Sequence, residues 1–192
     1  MTDMPAPTAN RSTVLVLGAN GFVGAHLVAA LRRAGHRVVR GLRRAHDGDA
    51  DAISCDFVRD LVAGAWTPRL AGIDVVVNAI GILRESGSNR FDVIHRQAPL
   101  AVAIACNAAG VRCFVQISSL GNPADGEFVA SKHRFDAELS QLPLASVVVR
   151  PSVVYAWSGS YGGTSLLRAL AATPFALPVP GDGKQRMQPM AA

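Results

Sequence analysis

Charge and aromatic rings are both scarce in this 192-residue chain: Asp, Glu, Lys and Arg make up 17% of it and Phe, Trp and Tyr 6%, against 49% hydrophobic residues. So apolar a chain can bury a core, which excludes a disordered or collagen-like polymer. So few rings leave no stacking platform for single-stranded RNA. Long hydrophobic runs are missing too. The longest, over 98–109, is interrupted by Cys106 and Asn107 and falls short of the ~18 residues that a membrane helix needs. The opening MTDMPAPTAN has neither the basic nor the apolar region of a signal peptide, so residues 1–11 read as a disordered tail. There are three cysteines, Cys55, Cys106 and Cys113, with no CxxC spacing and no histidine cluster. They read as small buried hydrophobes rather than metal ligands or a disulfide framework. The expectation is a soluble, cytoplasmic, globular protein with no metal, no nucleic-acid partner and no membrane segment.

What is present is an alternation of short apolar runs with longer helical stretches. Strands are expected over Thr13–Leu17, Arg37–Leu42, Ala52–Cys55, Ile73–Val77, Val111–Ile117 and Ala145–Val149. Helices are expected over Gly21–Ala34, from Asp56 to Gly64, over Phe91–Ala109 with an irregularity at Pro99, and over Glu127–Leu142. Strands of four to six residues separated by helices are βαβ units, hence a doubly wound, Rossmann-type α/β parallel sheet with helices on both faces. That domain spans residues 12–155. Beyond Arg150-Pro151 the texture changes to a loop at 159–163, a helix at 164–172 and a stretch rich in proline and glycine at 174–183. Residues 156–192 read as a partial, truncated substrate-binding region.

The strongest local signal is Gly18-Ala19-Asn20-Gly21-Phe22-Val23-Gly24, set between the first strand and the first helix. Geometry explains the glycines: one makes the tight turn, one lets backbone approach a diphosphate, and one allows close helix–strand packing. The diphosphate then sits on the free N–H groups of the helix start. Gly18, Asn20, Gly21, Phe22, Val23 and Gly24 are therefore candidate cofactor residues.

With GxxGxxG spacing, the chain resembles the short-chain dehydrogenase/reductase superfamily in its extended or atypical branch, the NAD-dependent epimerase/dehydratase-like proteins. Four further segments carry the likeness: Asn78-Ala79-Ile80-Gly81, Gln116-Ile117-Ser118-Ser119-Leu120-Gly121, Ser131-Lys132 and Arg150-Pro151-Ser152-Val153-Val154-Tyr155. The wording is most similar to relatives of the NAD(P)H-binding accessory subunit of respiratory complex I. The resemblance implies a dinucleotide held also by Asn78, Ala79, Ile80, Gly81, Ile117, Lys132, Pro151 and Val153. Asp56 and Phe57 resemble the family's aspartate-plus-apolar pair beside the adenine; Asp56 equally suits a helix N-cap.

Acidic residues are absent between Ala25 and Ala45, where NAD-selecting sites usually carry one for the ribose 2′-hydroxyl. Arg40, Arg43 and Arg44 stand there instead. One arginine–phosphate contact contributes about 1.5–3 kcal/mol, so NADP is favoured over NAD.

Catalysis is where the chain departs from the family. The superfamily's proton donor, a tyrosine four residues before the lysine, falls at Phe128, which has no proton to give. Lys132 remains, with Ser118 and Ser119 as candidate substrate-orienting hydroxyls and Tyr155 as a displaced donor. His95 either bonds within the site or satisfies a buried backbone carbonyl. Three functions follow: an NADP(H)-binding oxidoreductase of weak turnover on an unknown small molecule, a catalytically silent NAD(P)H-sensing or assembly module, or a sugar-nucleotide epimerase/dehydratase. Gly181-Asp182-Gly183 and Arg186-Met187-Gln188-Pro189 resemble the entry to the family's substrate region. An exposed apolar patch is expected around Tyr155, Trp157 and 166–170, masked by assembly into a homo-oligomer.

Overall fold

A computed structural model describes residues 11–46, 48–156, 165, 169, 172 and 188–191. Its main sheet has six parallel strands: β1 (Thr13–Leu17), β2 (Arg37–Leu42), β3 (Ala52–Ser54), β4 (Val75–Asn78), β5 (Cys113–Ile117) and β6 (Ser146–Val149). They lie in the order β3-β2-β1-β4-β5-β6. Strand order reverses between β1 and β4, which pair through Val14–Val75, Leu15–Val76, Val16–Val77 and Leu17–Asn78. At such a switch the two outgoing loops part and open a crevice at the carboxyl ends of the strands.

The central strands bury both faces. In β1, Val14 and Val16 join Val28, Val38 and Val77 under α1 (Phe22–Arg33). Leu15 and Leu17 face the other way, into a larger core with Trp66, Val76, Val102, Phe114 and Phe135. That core is covered by α2 (Ala63–Trp66), α3 (Ala98–Ala109) and α4 (Glu127–Leu139). At the β6 edge, Val147 and Val149 remain exposed on the α1 side, at 50% and 39%. A second small sheet pairs β7 (Val154–Tyr155) with β8 (Met190–Ala191). None of the helices among the described residues is long and apolar enough to cross a membrane.

The strands match the sequence expectation to within two residues at either end, whereas two helices differ for local reasons. Residues 56–62 form a turn rather than a helix, because side chains close it: Asp56 Oδ1 accepts the Val58 N–H at 2.9 Å, and Asp60 Oδ2 accepts the Asp56 N–H at 2.8 Å. Local side-chain acceptors of this kind compete with helical bonding. The long helix after β4 is interrupted by a π turn over Val93–Gln97, immediately before Pro99 in the first turn of α3. Proline lacks an N–H and crowds the carbonyl four residues back, that of His95; the wider π turn relieves both. α4 also stops at Leu139, three residues short of the expected end. The tail over 1–10, Trp157, Tyr161, 174–183 and the Arg186-Met187 pair lie outside the described residues. Of the helix expected over 164–172, Ser165, Ala169 and Ala172 are described; the first two are helical and Ala172 lies in a turn.

The β1–α1 turn fixes how close the helix approaches the sheet. Gly18 has φ +75°, and a Cβ there would lie 2.9 Å from Ile80 Cγ1. A Cβ on Gly24 would lie 2.1 Å from the Gly18 carbonyl oxygen. Alanine normally favours a helix interior over glycine by ~1 kcal/mol, but here the obstacle is backbone and cannot swing aside. Gly24→Ala is expected to destabilise the fold by about 1–3 kcal/mol, read as a lower denaturant midpoint with an unchanged slope.

Candidate functional site

The crevice predicted by topology is present. It encloses about 200 Å³ and is lined by Gly18, Gly21 and Gly41 at its base, Cys55–Val58 on one wall, Ala79–Ile82 and Ile94 on the other, and Arg43 and Asn89. Eight residues singled out from sequence meet here: Gly18, Gly21, Arg43, Asp56, Phe57, Ala79, Ile80 and Gly81. Gly41, Cys55, Val58, Ile82, Asn89 and Ile94 line it as well and carry no motif of their own.

One end of the crevice presents an uncapped helix start. α1 starts at Gly21 with no side-chain cap and no acidic residue in its first turn. The N–H groups of Phe22, Val23 and Gly24 belong to that first turn and lack intrahelical partners, so they present partial positive charge. Removing the Cβ at Gly18 and Gly24 creates the backbone approach that any side chain would fill. Asn20 is exposed beside the turn.

At the end of β2 the three arginines divide. Arg40 donates through Nη2 to Asp49 Oδ2 at 2.5 Å and stays outside the crevice lining. Arg43 lines the crevice, and neither it nor the exposed Arg44 forms an ion pair among the described residues. On the adjacent wall, Asp56 both lines the crevice and caps its own turn. Phe57 is anchored edge-on against Trp66, ring centroids 5.7 Å apart. Cys55 donates to the Leu42 carbonyl at 3.4 Å, and burial raises its thiol pKa to about 12, so it is a wall and not a nucleophile.

Asn78 sits beneath the opposite wall. Its Nδ2 donates to Gln116 Oε1 at 2.8 Å, and its Oδ1 accepts the Ile80 N–H at 3.2 Å, which tightens the turn that presents Ala79–Gly81.

Beyond Gly81 lies a buried polar cluster. Lys132 donates to the Ile117 carbonyl at 3.0 Å, and its ammonium lies 5.9 Å from the centre of the Phe128 ring. Burial lowers its pKa to about 8, against the opposing pull of Asp136. A Cβ on Gly81 would come within 3.3 Å of Lys132 Nζ and 3.6 Å of His95 Nε2, so only glycine leaves this space open. His95 Nε2 accepts the Ile82 N–H at 3.0 Å, so the partner is a backbone N–H, not the carbonyl expected from sequence. Its Nδ1 is then the protonated nitrogen and donates to Ser131 Oγ at 2.9 Å, which donates to the Phe128 carbonyl at 3.2 Å. The Phe91, His95 and Phe128 rings pack around this chain, His95 and Phe128 at 5.6 Å and 84°.

The two serines differ in availability. Ser118 Oγ donates to Asp136 Oδ2 at 2.8 Å, an oxygen that also receives Arg150 Nε at 3.0 Å and Nη2 at 2.9 Å. Ser119 Oγ is buried with no partner. Pro151 and Val153 hold neighbouring backbone, accepting from Leu120 and Met190. Tyr155 is 47% exposed on β7. No cluster of three or more metal-ligating side chains occurs among the described residues.

Fold and crevice define a dinucleotide-binding α/β protein. The chain belongs to the NAD-dependent epimerase/dehydratase family, whose model matches residues 14–158. It is 31% identical over 153 residues to a ceramide reductase of Caulobacter vibrioides, covering 77% of this chain and 48% of that protein. It is 27% identical over 164 residues to the mitochondrial NADH dehydrogenase [ubiquinone] 1 alpha subcomplex subunit 9 of Arabidopsis thaliana, covering 77% and 40%. Thus it spans about half the length, or less, of the curated relatives it matches. An NAD-dependent epimerase/dehydratase-type structure from Bacillus halodurans superposes with a TM-score of 0.65 at 26% identity, over 76% of this chain and 72% of the other.

Burial and the Lys132 charge depress His95 to about pKa 3, from an ordinary 6.5. The unfolded chain therefore binds a proton between these values that the folded one does not, and stability falls as pH drops below 6.5. From pH 6.5 to 4.5 the loss through this group is about 2–3 kcal/mol. His95→Gln is expected to flatten that part of the stability–pH curve, measured by urea titration at each pH.

Proposed function

We propose that the chain binds NADP(H) in preference to NAD(H), in an oxidoreductase-type site that lacks a phenolic proton donor and turns over slowly. The observation that carries the reading is Arg43, a crevice-lining arginine with no carboxylate partner among the described residues, at the strand end where NAD-selecting sites place an acid. In this arrangement Arg43, with Arg44 beside it, takes the 2′-phosphate; Arg40 is committed to Asp49. The first turn of α1 with Gly18, Gly21 and Gly24 takes the diphosphate. Asp56, Phe57 and Ala79–Gly81 flank the adenine.

Lys132 binds the nicotinamide ribose, facing the open space at Gly81. A reduced nicotinamide held there supplies a hydride. Ser119, with its unpaired hydroxyl, is better placed than Ser118 to orient a substrate oxygen, since Ser118 is held by Asp136. Phe128 supplies packing but no proton. The reductase name of the Caulobacter relative supports hydride transfer to a carbonyl as the reaction class. Phe128 itself favours a second reading, a silent sensing or assembly module, which the Arabidopsis complex I subunit also supports. An enzyme oxidises NADPH when offered carbonyl substrates; a sensor binds it unchanged.

Calorimetric titration is expected to show NADPH binding at least tenfold more tightly than NADH, with Arg43→Ala narrowing the gap to within about threefold, as loss of ~1.4 kcal/mol or more of charge-assisted bonding implies. Tighter binding of NADH by the intact chain would falsify the NADP assignment. Across a panel of carbonyl compounds, Phe128→Tyr is expected to raise NADPH-dependent turnover by about tenfold or more, the lower part of what a positioned acid contributes. Rapid turnover by the intact chain, lost in Tyr155→Phe, would instead make Tyr155 the donor.

A further inference from the structure

A carbonyl reduced by hydride transfer also takes up a proton, and Phe128 has none to give. The hydrogen bonds around Gly81 show which other groups could supply it. His95 Nε2 accepts the Ile82 N–H at 3.0 Å and carries no proton, while Nδ1 commits its own to Ser131 Oγ at 2.9 Å. Ser131 donates to the Phe128 carbonyl at 3.2 Å, and Ser118 to Asp136 at 2.8 Å. His133 donates through Nε2 to the Ser119 carbonyl at 2.9 Å. The Ser119 hydroxyl has no partner, but a serine orients a substrate rather than protonates it near neutral pH.

Lys132 is the group left. Its ammonium has three donors and gives one to the Ile117 carbonyl at 3.0 Å, where β5 ends and Ser118-Ser119 follow. Among the described residues it bonds no other acceptor and pairs with no carboxylate. It lies against Gly81, a crevice-lining residue whose Cβ would come within 3.3 Å of Nζ. Two titratable groups face it. His95, from the π turn, is held neutral by burial. Asp136, one turn along α4, bonds Ser118 and Arg150 and not Lys132. A buried ammonium with so little to hold its charge releases a proton readily, and burial brings this one to about 8. No arginine could do so. The chain has 17 arginines and two lysines, Lys132 and Lys184.

We propose that Lys132 is the catalytic acid of this site: its ammonium both binds the nicotinamide ribose and protonates the oxygen of the carbonyl being reduced. The carbonyl carbon gains the hydride of the reduced dinucleotide, and the C=O π pair moves to oxygen. That oxygen takes one Lys132 proton as the N–H bond breaks, and the neutral amine recovers a proton from solvent. The inference rests on the NADP(H) oxidoreductase reading above and names the proton source it lacks.

The first test needs no substrate. NMR of the full chain labelled at lysine Cε should show two signals, one titrating near pH 8; Lys184→Arg removes the other. A Lys132 midpoint at the ordinary 10.5 overturns the proposal. The second test uses NADPH and the carbonyl panel. In the intact chain kcat/KM is expected to fall about tenfold per pH unit above about 8. Lys132→Arg keeps the charge and holds its proton. It should bind NADPH within about threefold of the intact chain, reduce carbonyls at least about a hundredfold more slowly, and lose the alkaline limb. An arginine variant as fast as the intact chain overturns the assignment, as does a limb that Tyr155→Phe abolishes and Lys132→Arg leaves. Should arginine prevent folding, the lysine titration and the limb of the intact chain decide. NADPH bound but oxidised by no panel member overturns the acid role and leaves the binding reading standing. If NADPH does not bind, the cofactor reading itself has failed.

Discussion

Everything at the cofactor end depends on one backbone contact, the approach of α1 to the Gly18 carbonyl at Gly24. The space there is too small for even a methyl group, 2.1 Å from where it would sit. That closeness brings the uncapped start of α1 level with the ends of β1 and β4, where the switch in strand order opens the crevice. Were the helix an ångström further out, its N–H groups would point past the crevice and the valine contacts beneath it would open. On the proposed reading, packing and anion binding are one constraint, and the glycines serve both.

The cluster beyond Gly81 is organised differently, by a continuous buried polar chain rather than by backbone alone. Ile82, His95, Ser131 and the Phe128 carbonyl form one directional series of hydrogen bonds, in which each acceptor is also the next donor. The series has a single consistent tautomer for His95, with the proton on Nδ1. Protonating Nε2 would face two donors at Ile82, which is the geometric counterpart of the depressed pKa. Phe128 contributes its carbonyl to this chain and its ring to the wall over Lys132. On the proposed reading, the absence of a phenol here would remove phenolic proton donation without removing the scaffold, so binding and turnover would be separable.

How much of this was legible in the sequence depended on the range of the interactions involved. Strands and α1 follow from local apolar runs and from Gly18–Gly24, and the structure reproduces them closely. Pro99 signalled an irregularity, but not that a π turn would absorb it and carry His95 into the core. Residues 56–62 misled because their helical look is undone by Asp56 and Asp60 closing a turn on themselves. Arg40 looked equivalent to Arg43 until Asp49, nine residues away across a loop, was found to hold it. Asn89 gave no signal, since its place in the crevice wall is visible only once the loop is folded. Ser118 and Ser119 likewise separate only when Asp136 arrives from α4.

Charge distribution carries the last step. The net charge of +5 looks diffuse along the chain, yet most arginines near the sheet are neutralised in place. Arg37 pairs with Asp51, Arg40 with Asp49, Arg69 with Asp60, Arg112 with Asp74 and Arg150 with Asp136. The exposed pairs among them, Arg37–Asp51 and Arg112–Asp74, add at most about 1 kcal/mol each, but all five cancel field. What they leave uncancelled at the crevice is the Arg43 side chain, close to the positive start of α1. A 2′-phosphate and a diphosphate are the anions that would use both at once, whereas NAD would engage the helix alone and leave Arg43 unpaired. On the proposed reading, selectivity would be set less by how many arginines the segment contains than by which one is left without a carboxylate.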